Sequence, residues 1–220
     1  EGIEVQVNVS GDHLGVSLRS NGLVNRIQCR WRGDLSHVHR FLGDHWERSY
    51  ADLEWRGHSP NRVMPWYFMA HDGARTHGYG VRTGPKAFCF WMADPEGISL
   101  WADVRSGGVP VELGDRTLEV AEIVCREGQA GENPFRATQA FCQQMCASPR
   151  LPDKPVYGTN DWNYAYGDSS AELIAGVSGL ISELSSDADN RPYSVIDEGW
   201  AMGPFTGHFG HGPWIGNPRF

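Results

Sequence analysis

The sequence predicts a mainly β fold: an N-terminal β-sandwich with a closing helix over residues 1–150, then a β-α-β portion over 151–220. Three observations carry this reading. Val5, Val7 and Val9 alternate with polar residues, the period of a strand with one buried face. Turn signals recur at short intervals, at Gly11-Asp12, Asp94-Pro95-Glu96-Gly97 and Gly114-Asp115, which suits packed antiparallel sheets better than alternating helix and strand. Beyond residue 155 the texture becomes strand, amphipathic helix, strand.

The elements follow in order. "EGIEVQVNV" is a strand, and "GVSLR" continues it after the Gly11-Asp12 turn. The stretch 33–62 is less regular and holds His37, His39, His45 and His58. "KAFCFWMAD" and "GISLWADV" make two strands, and "VPVELGDRTLEVAEIVC" two more that turn at Gly114-Asp115. Asn133 caps a helix with Pro134 at its first position, and Thr138, Phe141, Cys142 and Met145 repeat on one face. "ASPRLPDKP" is the domain boundary. "PVYGT" is a strand, "NDWNYAYG" a loop, and Ser169 with Glu172 a capping box. Leu173, Val177, Leu180, Ile181 and Leu184 form the apolar stripe of a second helix. "YSVID" is the next strand, expected parallel to the first. A lone β-α-β unit cannot bury a core, so it either packs on the β domain or belongs to something longer, and the expectation is that the chain is the front part of a longer protein.

Composition excludes several classes. With 19 Lys and Arg against 27 Asp and Glu, the net charge is −8 and no basic cluster occurs; a nucleic-acid surface needs clustered cations. No apolar run approaches the ~20 residues that span a bilayer, and no leader peptide is recognised at the start. The five cysteines are odd in number and lack CxxC spacing, against a zinc site or a disulfide framework. No cofactor is expected. Nine Trp and 27 Gly stand out; Trp either fills cores or stacks on flat apolar ligand faces.

The candidate site sits where the second strand ends. Ligands of parallel α/β arrangements bind beyond the carboxyl ends of the strands. Asp197 and Glu198 lie at one such end and Asn160, Asp161 and Trp162 at the other, with Trp200 nearby. Carboxylates accept strong hydrogen bonds from hydroxyl groups, and an aromatic face stacks on a sugar ring. The set suits a polyol better than an anion. An acidic pair after a strand also serves as a solvated loop start or a helix cap. Adjacent acids in extended chain point to opposite sides, so the two are not read as acid and nucleophile.

"YGTNDWNYAYG", a helix, and "YSVIDEGW" together resemble the start of the catalytic barrel in melibiase-type α-galactosidases, whose pattern runs G-W-N-S-W-x-x-Y-G, helix, V-I-D-D-G-W. "HGYGVRTGPKAFCFW" at 77–91 is similar to the N-terminal β-sandwich (supersandwich) domain of the same group. The resemblance implies a retaining glycoside hydrolase with a TIM barrel after the β-sandwich, residues 151–220 being its first βαβ portion. It implies that Asp197 grips sugar hydroxyls, with Glu198 where the family has a second Asp. Asn160 and Trp162 match, while Thr159 and Asp161 replace the usual Trp and Ser. The nucleophile and acid/base of the family come from later barrel strands, so neither role is assigned within residues 1–220. The implied partner is a carbohydrate, an α-galactoside or related glycoside; a homo-oligomer is compatible with the sequence.

Two other readings are open. The first is a non-catalytic carbohydrate-binding or interaction module. The second is a metal protein built on His37, His39 and His45, or on His208 and His211, since His-x-His in an extended chain shares a face; neither group supplies a complete ligand set. "GVSGL" at 176–180 lacks the nucleophile-elbow pattern, and "GYGVRTG" lacks the Gly-Lys-Ser/Thr ending of a phosphate loop.

Overall fold

The computed structural model describes residues 2–46, 53–202 and 214–220. It divides into two compact units, residues 1–149 and 150–220, and is mainly β with several antiparallel sheets. His208 and His211 lie outside the described residues.

The first unit contains β1 (Ile3–Ser10), β2 (His13–Ser20), β3 (Leu23–Val24), β4 (Arg26–Arg32), β5 (Arg40–Gly43), β6 (Met64–Pro65), β7 (Tyr67–His71), β8 (Thr76–Val81), β9 (Phe88–Asp94), β10 (Gly97–Asp103), β11 (Val111–Glu112), β12 (Leu118–Arg126) and α1 (Pro134–Met145). Six strands form one sheet in the order β1-β2-β12-β8-β7-β5, and four form another in the order β4-β10-β9-β6. The two share a core: Val16, Leu18, Phe68 and Ile123 from the first meet Ile27, Trp91 and Leu100 from the second. Strand alternation places Met69 and Val124 on the other face of the six-stranded sheet, where Phe141 and Met145 of α1 cover them. Gly78 leaves the space that the Phe141 ring occupies. Asn133 caps α1 through its side chain, which accepts from the Phe135 N–H.

The hairpins fall where the sequence places them, β1 to β2 and β9 to β10. The two strands about Gly114 differ in their partners. β11 pairs with β3, whereas β12 pairs with β2 and β8, so they do not form a hairpin. Arg116 donates to the carbonyls of Glu112 and Leu113 at 2.9 and 3.0 Å and closes the turn while the chain changes sheets. β1 departs from the expected half-buried strand. Ile3, Val5, Val7 and Val9 share a face with the core residues of β2, yet all four are exposed; β1 is an edge strand that packs mainly on β2.

The second unit contains β13 (Gly158–Asn160), α2 (Trp162–Ala165), α3 (Ala171–Leu184) and β14 (Tyr193–Val195). β13 and β14 pair in parallel. The loop expected at "NDWNYAYG" contains the short helix α2, closed by Tyr166 in the left-handed conformation. The α3 cap is Ser170, whose Oγ accepts from the Leu173 N–H, not Ser169. Ser169 is fully buried, and its Oγ has no partner among the described residues. No residue of α3 is buried; Leu180 and Leu184 of its apolar stripe are exposed. A parallel pair with a single helix lacks the second layer that would cover it.

Candidate functional site

Parallel pairing places the carboxyl ends of β13 and β14 side by side, Asn160 opposite Val195. The two ends are then tied by side chains. Asn160 donates through Nδ2 to Asp197 Oδ2 at 2.9 Å and accepts through Oδ1 from the Trp162 N–H at 2.8 Å. Asp161 accepts through Oδ1 from the Asp197 N–H at 2.6 Å, and its own N–H reaches Val195 O at 3.3 Å. The Glu198 N–H donates to Asp197 Oδ1 at 2.8 Å. Of the residues singled out in the sequence, Asn160, Asp161, Asp197 and the backbone of Glu198 thus form one hydrogen-bonded group.

Burial sorts their roles. Asp161 is fully buried, so it acts by holding the backbone of Asp197; its Oδ2 has no partner among the described residues. Asp197 and Glu198 are partly accessible. Each Asp197 oxygen receives one of the donors just named, and a carboxylate offers about four acceptor positions. Capacity therefore remains for hydroxyl donors from a ligand. The Trp162 ring is half-buried and stands edge-on to Tyr166, with centroids 5.7 Å apart. The Trp200 ring stacks on Trp214 at 5.9 Å.

The sequence reading missed a strap formed by Asn217 and Arg219. Asn217 donates from Nδ2 to Gly199 O and from its N–H to Trp200 O. Arg219 donates to Gly167 O at 3.1 Å and Gly199 O at 3.3 Å, and pairs with Asp168 at 2.7 Å. The Arg219 carbonyl accepts from the Ala171 N–H at the start of α3. Gly199 has φ 95°, and a side chain there would run into the Gly167 backbone; the loop after the acidic pair is seated against the loop before α3. These partners are mostly backbone carbonyls distant in sequence, which leave no residue pattern to read.

Among the described residues no cluster of three His, Cys, Asp or Glu could hold a metal ion. His58 instead contacts Leu35 O at 3.0 Å, and its ring packs edge-on against Phe41. The five cysteines are free thiols; burial pushes the Cys89 thiol up to about 12, which makes it unreactive at neutral pH. No helix among the described residues is long and apolar enough to cross a membrane.

In comparisons with known proteins, no family model and no curated protein matches the chain.

Proposed function

We propose that the chain is the N-terminal part of a glycoside hydrolase resembling the melibiase-type α-galactosidases, which cleaves α-glycosidic bonds with retention. In this reading residues 1–149 are a β-sandwich of the supersandwich type and residues 150–220 open a TIM barrel. The observation that carries it is the union of Asn160, Asp161 and Asp197 at the carboxyl ends of two parallel strands, the end at which barrel enzymes bind substrate. One core shared by two antiparallel sheets supports the sandwich.

In this reading the residues take the following roles. Asp197 accepts hydrogen bonds from the hydroxyl groups of the sugar. Asn160 and Asp161 fix its carboxylate and its backbone. Glu198 supplies a second acceptor, and Trp162 and Trp200 supply aromatic faces. Retaining hydrolysis needs two further carboxylates about 5–5.5 Å apart; this reading takes them from later barrel strands and gives neither role to a residue of 1–220.

The test is hydrolysis of p-nitrophenyl α-galactoside by the protein expressed from its complete reading frame, with proton NMR of the first sugar released. Release of the α-anomer is expected. A protein that binds glycans and hydrolyses no α-glycoside would replace this reading with a non-catalytic carbohydrate-binding module.

A further inference from the structure

Trp46, Trp66 and Phe88 meet at the surface of the first unit. Trp46 stacks on Phe88 with centroids 4.1 Å apart and planes 17° apart. Trp66 stands edge-on to both, at 5.6 Å from Trp46 and 5.3 Å from Phe88. Such clusters normally lie in a core, where large aromatic rings contribute most. Here Trp46 remains 42% and Phe88 51% exposed.

The backbone at Trp66 is what brings the rings together. It has φ 64°, a left-handed conformation rare for a bulky residue and costing on the order of 1–3 kcal/mol. Three hydrogen bonds hold it there. Its N–H donates to Cys89 O, its carbonyl accepts from the Val81 N–H, and the Trp91 indole N–H donates to the same carbonyl, each at 3.1 Å. Trp66 is also the single residue between β6 of the four-stranded sheet and β7 of the six-stranded sheet. The crossover explains the positive φ; glycine would make it without strain. The crossover does not explain a tryptophan, whose ring is only half-buried.

Trp66 also lines a groove of about 750 Å³, together with Asp44, Tyr67, Arg82, Thr83 and Met145. An aromatic wall beside a carboxylate, a guanidinium and a hydroxyl is the chemistry that recognises a sugar: ring faces for its C–H surface, acceptors and donors for its hydroxyls. Arg82 is already neutralised by Glu122 at 3.1 Å and Asp12 at 3.3 Å. Among its described residues the groove therefore offers no unbalanced cation to select a phosphate or carboxylate.

We propose that this platform is a second glycan-binding surface, on a different unit from the Asp197 rim. It takes a neutral oligosaccharide, one ring laid on the exposed part of the Trp46–Phe88 pair and the next against Trp66 in the groove. It stands independently of the hydrolase reading, because it rests on described residues of the first unit alone.

The experiment is a tryptophan-fluorescence titration of the 220-residue chain with raffinose, maltotetraose and cellotetraose, three linkages chosen so that the outcome does not depend on a galactosidase assignment. Saturable binding of at least one is expected. Trp46→Ala and Phe88→Ala should weaken it about tenfold, roughly the scale of lost aromatic stacking. Trp66→Gly keeps the crossover, since glycine takes positive φ, and should lose binding without unfolding; Trp46→Phe should retain both fold and binding. No saturation with any of the three sugars would overturn the proposal. So would binding that survives Trp46→Ala and vanishes in Asp197→Ala. Self-association abolished by Trp46→Ala, without sugar binding, would assign the surface to a second copy of the chain instead.

Discussion

Asp161 holds the backbone of Asp197 from a fully buried position. Removing it leaves the Asp197 N–H without its acceptor, a loss of about 1–3 kcal/mol for a buried group. Asp161→Ala should therefore lower the stability of the second unit by that order in urea unfolding, while Asp161→Asn, which keeps an acceptor oxygen, should cost less. Equal stability of the alanine variant and the wild type would remove Asp161 from the positioning role. The sequence made Asp161 a candidate ligand residue because it follows a strand and carries a carboxylate. Its complete burial follows from the packing of 160–162 against 195–197, which a residue pattern does not encode.

Local chemistry made some elements legible and left others hidden. The α1 start was readable because Asn133 and Pro134 satisfy the first turn within three residues. Asn133→Ala should cost about 1 kcal/mol and Phe141→Ala about 3–5 kcal/mol, both read from shifts in the melting temperature of the first unit. The reverse order would mean that α1 is held by its cap and not by its seat over Gly78. The partners of β11 and β12 were not readable, since pairing with β3, β2 and β8 is a choice made across the whole unit. The cap of α3 moved by one residue because Ser169, the better match to a capping box, turns inward. The strap of Asn217 and Arg219 belongs with the hidden features. Arg219→Ala should loosen the loop at 198–200 and raise KM for a glycoside more than it lowers kcat, with partial rescue by Arg219→Lys, which restores the charge opposite Asp168 but not the forked contact. An unchanged KM would show that the strap does not set the rim.

At the scale of the molecule, paired carboxylates fix the response to acid. Asp103 lies well below the usual carboxylate range, first through its hydrogen bonds from Arg105 and then from Arg26. Asp94 is lowered by Arg30, and Glu132 by Arg126. A carboxylate whose folded pKa is depressed contributes stability that is fully present above its unfolded value, about 4, and is lost as pH falls through the folded value. The first unit should accordingly lose stability below about pH 4, and Asp103→Asn should flatten that dependence. A slope unaltered by the substitution would place the acid sensitivity elsewhere. The mainly β fold was legible from alternation and turn spacing. The meeting of two sheets in one core, with α1 on the far face of the larger, required the pairing that only the folded chain displays.

In the proposed reading Asp197 grips the sugar of an α-glycoside. The most direct test of that reading is kcat/KM on p-nitrophenyl α-galactoside for the complete gene product and its Asp197→Asn variant. A hydrolytic wild type is expected, with a loss of about 100-fold in the variant, the scale of two charge-assisted hydrogen bonds at roughly 1.5 kcal/mol each. A wild type without activity, or a variant with unchanged kcat/KM, would contradict the reading.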